Sequence, residues 1–250
     1  MLVVSLWAFH SMPVVQHARQ ELHVKVVYYG PGLGGKTTNV EWIHAHSKPE
    51  RRGKLVSLAA ESERTLFFDL LPVELGTFKG YQVRLHLCTV PGQIAHDRTR
   101  QLVLRNVDGV VFVVDSQRAR LEDNEQSIAN LYANLKRQND DPDRLPLVVQ
   151  YNKRDLPNIA SIRELREQLH VPPDVPEVEA IATRGIGVLT TMKIILRDCL
   201  QLLGDPRKAR EGRSPSILPG QRASMFPGRA APIRSVIPPS AALPSLGDDE

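Results

Sequence analysis

Residues 30–39 read GPGLGGKTTN, and no other stretch constrains the fold as tightly. Gly30, Gly35, Lys36 and Thr37 complete the pattern G-x-x-x-x-G-K-[ST]. That pattern turns several backbone N–H groups toward one anion while the chain passes from a strand into a helix. Glycine supplies the backbone freedom such a turn demands. The residues before it, 22–30 (LHVKVVYYG), read as a buried strand, and 36–47 read as a helix opening directly after the loop. Gly30, Gly32, Leu33, Gly34, Gly35, Lys36, Thr37 and Thr38 are therefore the expected phosphate-binding residues. Their N–H groups and the helix N-terminus cradle the α and β phosphates, Lys36 reaches the β and γ phosphates, and the Thr37 hydroxyl ligates Mg²⁺.

The rest of the chain repeats the same alternation. Apolar, β-branched runs at 81–90, 109–116, 145–153 and 177–183 predict strands, and 97–107, 121–138, 161–170 and 188–203 predict helices. Strands that are apolar on both faces and alternate with helices predict a mostly parallel central sheet covered on both sides, the three-layer α/β architecture of P-loop NTPases. One domain is expected over residues 20–204. Residues 1–19 read as an extension, and residues 205–250, with eight of the 19 prolines and Phe226 as the single aromatic, read as a disordered tail that cannot build a core.

Charge and cysteine usage narrow the classes of partner. The formal net charge is +4, of which the tail, with seven Arg/Lys against five Asp/Glu, holds +2. The remaining +2 is too diffuse for a nucleic-acid surface. Cys88 and Cys199 show neither metal-ligand spacing nor a disulfide framework, which fits a reducing cytoplasm. The apolar run at residues 2–9 is far shorter than the roughly 20 residues of a membrane span and no basic residue precedes it. Two readings of it stay open: a peripheral stretch ahead of a start equivalent to Met12, or a small hydrophobic contact with a membrane or partner. No lipidation motif stands at either end.

The base is read from NKRD at residues 152–155, directly after the strand expected at 145–153. A carboxylate at Asp155 accepts from both N1–H and the N2 amine of guanine, donors that adenine lacks. Lys153 is expected along the base and Asn152 as a brace for the loop, with the Ala182 N–H of EAIAT as a last contact to the base. A polar loop after a strand explains NKRD alone. An ATP-using P-loop protein is the competing reading, and it predicts tighter binding of ATP than of GTP.

GTPases of this fold carry D-x-x-G after the third strand, the acid holding a Mg²⁺-bound water. Residues 89–93 here read TVPGQ, so Thr89 puts a neutral hydroxyl in the place of the acid, while Gly92 keeps the position that senses the γ phosphate and Gln93 the one that orients water. Asp69 is a candidate to restore the lost charge. Together with YYGPGLGGKTTN, SERTLFFDLLP, VDGVVFVVDSQ and NKRDLP, this TVPGQ closely resembles the MglA family of bacterial Ras-like GTPases over about residues 20–200. In that family T-x-x-G is usual.

The resemblance implies a small GTPase switch for cell polarity and for gliding or twitching motility. Such a switch is active with GTP, slow at hydrolysis, dependent on Mg²⁺, and stimulated by a roadblock-type, MglB-like partner. It implies that Arg64 is an intrinsic arginine finger and that Thr65 is the switch threonine closing on Mg²⁺ and the γ phosphate. Polarity or motility effectors would bind the GTP form, in the cytoplasm, at a cell pole or peripherally at the membrane. Read without the family, Arg64 is first a solvated surface charge. Residues 94–101 depart from the family, with Ala95 and His96 where aromatics are usual. His96 reads either as an acid or base or as a surface histidine on a mobile segment. Arg98, Arg100 and Arg105 read either as a partner surface or as a solvated basic face. A scaffold that holds nucleotide without turning it over, recruiting partners through the tail, is the alternative function.

Overall fold

The structure, a computed structural model, describes residues 15–16, 20–58, 68–92, 97–138 and 144–204. In chain order its elements are β1 (Val15–Gln16), β2 (Glu21–Tyr29), α1 (Lys36–His46), β3 (Val56–Leu58), β4 (Phe68–Phe78), β5 (Tyr81–Thr89), α2 (Asp97–Leu104), β6 (Gly109–Asp115), α3 (Leu121–Arg137), β7 (Leu147–Asn152), α4 (Ile162–Gln168), β8 (Glu177–Glu179) and α5 (Val188–Gly204). Seven strands lie in the order β3-β4-β5-β2-β6-β7-β8, and β1 pairs with the start of β2. The pairs β5–β2, β2–β6, β6–β7 and β7–β8 are parallel; β3–β4, β4–β5 and β1–β2 are antiparallel.

Alternation along the strands divides the core in two. Leu22, Val24, Val26 and Tyr28 of β2 point to one face and pack with Val40 and Ile43 of α1 and with Met192, Ile195 and Leu196 of α5. Val27 and Tyr29 point to the other, with Leu104 of α2, Leu131 of α3 and Leu165 of α4. The inner strand β6, GVVFVVD, is buried along its whole length, as a strand covered on both faces must be. Truncating Phe112 there to alanine would cost about 3–5 kcal/mol.

The expected helices and parallel strands are present with shifted ends. α2 stops at Leu104 because Asn106 adopts a left-handed φ of 53°. α4 starts at the Ser161 cap, whose hydroxyl accepts from the Glu164 N–H while the Glu164 carboxylate accepts from the Ser161 N–H. The strand expected at 177–183 is two pieces, β8 and a single helical turn at Ala182–Arg184. β4 is the largest addition: an antiparallel strand of 11 residues with a register shift between Glu74 and Thr77. Val15–Gln16 of the expected extension join the sheet. Most of that extension, and residues 205–250, lie outside the described residues, among which no helix is long and apolar enough to cross a membrane.

Candidate nucleotide site

The sheet winds outward in both directions from β2, whose two parallel neighbours are β5 and β6. Ligands of open α/β sheets bind at such a switch point, outside the carboxyl ends of the strands. The phosphate loop sits there, between β2 and α1. Gly30, at φ 139°, approaches β6 so closely that a Cβ would lie 2.2 Å from the Val113 carbonyl oxygen. Gly35, at φ 100°, precedes the first turn of α1, and a Cβ there would lie 2.2 Å from Asn152 Nδ2. Leu33 also takes a left-handed φ, and its side chain is 88% exposed.

Lys36 lies under this loop and is buried. Its Nζ donates to the carbonyls of Gly30 at 3.0 Å and Pro31 at 2.6 Å. Burial, reinforced by the nearby Arg100 and Arg120 charges and opposed by Asp69, brings its pKa down to about 7. A phosphate arriving at the loop would reverse that balance.

A cavity of about 400 Å³ opens beside the loop, lined by Lys36, Thr37, Asp69, Thr89, Pro91 and Gly92 among others. Within it the Thr37 hydroxyl donates to Asp69 Oδ2 at 2.7 Å and the Thr89 hydroxyl donates to the same oxygen at 2.9 Å. The Asp69 N–H donates back to Thr89 Oγ1 at 2.9 Å, and Ser57 Oγ donates to Asp69 Oδ1 at 2.7 Å. β4, facing β5 across the ladder, thus brings a carboxylate to Thr89. Among the described residues no three His, Cys, Asp or Glu side chains form a metal-binding group. One carboxylate and two hydroxyls fit Mg²⁺, a hard cation that takes oxygen ligands and draws most of them from water and phosphates.

The base end is braced to the phosphate end. Asn152 Nδ2 donates to the Gly34 carbonyl at 2.9 Å, and Asn152 Oδ1 accepts from the Ala182 N–H at 2.9 Å. Lys153, at φ 64°, donates from Nζ to Asp115 Oδ2 at 2.6 Å. Asp155 is exposed. Arg154 secures the loop, donating from Nη1 to the Ala160 carbonyl at 2.8 Å and from Nε to Glu179 Oε2 at 3.0 Å.

Arg64, Thr65, Gln93 and His96 lie outside the described residues. Two further residues, given no role in the sequence reading, hold the site's frame. Asp115, fully buried at the end of β6, anchors Lys153, and Arg120 Nη2 donates to the Gly32 carbonyl at 2.7 Å. The expectation that Arg98, Arg100 and Arg105 share one surface needs correcting at Arg100. That side chain is buried, with Nε donating to the Pro91 carbonyl at 2.9 Å, Nη2 to the Gly92 carbonyl at 2.7 Å and Nη1 to Asn130 Oδ1 at 2.8 Å, and with the Tyr29 ring 5.5 Å away. Asn130 and Asn134 of α3 in turn donate to Asp97 at the start of α2. Arg98 and Arg105 are exposed.

A doubly wound sheet with a glycine loop after its central strand and an N-K-x-D loop after β7 is the architecture of a Ras-like P-loop GTPase. Residues 60–202 match the model of the ADP-ribosylation factor family. The mutual gliding-motility protein MglA of Myxococcus xanthus (strain DK1622) is 48% identical over 186 residues, which is 74% of this chain and 95% of that protein. The chain belongs to the MglA family of Ras-like small GTPases.

Proposed function

We propose that this GTPase is a slow, partner-stimulated switch that sets cell polarity and drives surface motility through effectors bound in its GTP form. The relative's name, mutual gliding-motility protein, supports the process. The observation that carries the molecular reading is the Asn152 bridge, which ties Gly34 of the phosphate loop to Ala182 of the base loop. In this reading Gly30, Gly32, Leu33, Gly34, Gly35, Lys36 and Thr38 hold the phosphates. Asp155 grips guanine, with Lys153 along the ring, while the Ala182 N–H, expected to meet the base, is instead taken by Asn152 Oδ1 at 2.9 Å. Thr37 and Thr65 hold Mg²⁺, and Asp69 supplies the charge that Thr89 does not. When bound, that ion would neutralise phosphate charge.

The Gly92 N–H meets the γ phosphate, Gln93 orients the attacking water, and Arg64 spreads its charge over the γ oxygens as bonds to phosphorus loosen. The partner is a roadblock-type, MglB-like activator. The test is single-turnover phosphate release from GTP and from ATP, with and without that activator. GTP-selective release accelerated by the activator is expected. Release from neither nucleotide under either condition would leave a nucleotide-holding scaffold, and ATP preference would remove Asp155 from its role. Asp69→Asn is expected to raise the Mg²⁺ concentration needed for half-maximal GTP binding by about tenfold.

A further inference from the structure

Asn39, Gln150 and Thr191 form a polar line through the core that neither the phosphate motif nor the guanine motif contains. All three side chains are fully buried. Asn39 Nδ2 donates to the Gly35 carbonyl and to Gln150 Oε1, each at 2.9 Å. Gln150 Nε2 donates back to Asn39 Oδ1 and on to Thr191 Oγ1, again at 2.9 Å. Thr191 Oγ1 donates to the Gly187 carbonyl at 2.8 Å. The line therefore starts at the last glycine of the phosphate loop, crosses from α1 to β7, and ends at the entry to α5, just past the turn that presents Ala182.

It runs beside the Asn152 bridge. Gln150 and Asn152 are two residues apart on β7 and so share a face of the sheet. A third contact follows one turn further along α1, where Gly185 packs against the Trp42 ring; a Cβ there would lie 2.2 Å from it. The surroundings are apolar: Val40, Ile43, Val148, Val188 and Met192 belong to the same buried cluster. Leucines would fill such a site without two amides to desolvate. What the amides add is direction. Two reciprocal hydrogen bonds fix the height and rotation of α1 against β7, whereas an apolar pair tolerates sliding.

We infer that the Asn39–Gln150–Thr191 line is a positioning device that sets the spacing between phosphate loop and base loop, so that a guanine nucleotide engages both ends at once. The inference rests on the guanine-nucleotide reading above. A ligand held at two ends gains from each end raising the effective concentration of the other, and a loosened spacing forfeits that gain.

The experiment follows release of fluorescent GDP from the full chain by stopped flow, together with the preference for GDP over IDP, which lacks the 2-amino group, and the thermal midpoint. Asn39→Leu or Gln150→Leu orphans a buried amide, so each is expected to lower the midpoint and to speed GDP release about tenfold. The double variant Asn39→Leu/Gln150→Leu leaves no orphaned amide between these positions. It is expected to regain thermal stability yet still release GDP fast, with a narrowed preference for GDP over IDP. The exchange Asn39→Gln/Gln150→Asn, which keeps an amide pair, is expected to recover slow release. A double variant with the wild-type release rate and the wild-type GDP/IDP preference would show that the amides serve packing alone and would overturn the inference. Should that variant not fold, Thr191→Val, which removes one hydroxyl at constant volume, replaces it in the comparison: fast release supports the inference, and wild-type release with wild-type preference overturns it. Wild-type protein that holds neither nucleotide would overturn the guanine reading itself, and this inference with it.

Discussion

Two glycines of the site pack backbone against backbone. A Cβ on Gly92 would lie 2.2 Å from Gly32 Cα and 2.3 Å from Gly32 N, whereas a Cβ on Gly32 would meet nothing nearer than 3.8 Å. Both obstacles to Gly92 are backbone, so no side chain can swing aside. Gly92→Ala is expected to slow single-turnover GTP hydrolysis by about tenfold or more, the rate equivalent of a modest overpacking strain. Gly32→Ala is expected to shift the thermal midpoint by about 2 °C at most. Lys36 gives a second prediction at this scale. Its ammonium is half-neutralised near pH 7 in the ligand-free molecule because burial disfavours the charge, and phosphates restore it. Binding therefore takes up a proton above that pH. GDP affinity should fall by up to about tenfold per pH unit from pH 7 to 9, and titration calorimetry in buffers of different ionisation heat should show the uptake.

Between elements, the ladder from β2 to β5 carries a histidine pair. His23 Nδ1 and His86 Nε2 are 3.0 Å apart with rings nearly parallel, and His23 Nε2 meets Glu21 Oε2 at 3.2 Å. Burial, with His23, Arg84 and Lys25 adding to it, takes the His86 pKa down to about 4. A base whose folded pKa is depressed contributes stability above its unfolded value near 6.5 and loses it as pH falls toward 4. Asp108, with its pKa raised to about 6 by burial, acts in the opposite sense over much of that range, so the comparison must isolate His86. The thermal midpoint of wild type relative to His86→Gln should fall between pH 6.5 and 4, by no more than about 3 kcal/mol in stability terms. The parallel strands and their helices are legible in the sequence because unbroken apolar runs such as GVVFVVD have one stable place, inside a covered sheet. β4 is not, because FDLLPVELGTF carries a proline and glycine, shifts register mid-strand and is only partly buried. Glycines and NKRD announce the loops of the site, and the missing acid at Thr89 points toward Asp69. Asn39, Gln150 and Arg100 give no such signal, since a polar residue in a helix or strand reads as surface until its partners are known.

For the whole molecule, both core layers close between Leu22 and Leu203. The loops that read as the site hang from the ends of that one sheet, so ligand binding and global stability are linked. With GDP and Mg²⁺ at about 100 times the dissociation constant, the thermal midpoint should rise by roughly 5–10 °C, and chelating the metal should reverse part of the gain. A rise of similar size with ADP would contradict the base assignment. The packing of Trp42 on Gly185 has a practical consequence. The chain has two tryptophans, Trp7 and Trp42. Replacing Trp7 with phenylalanine leaves Trp42 as the single tryptophan, packed on Gly185 where the first helix meets the turn after Ala182, an intrinsic optical gauge of that seam that needs no attached dye.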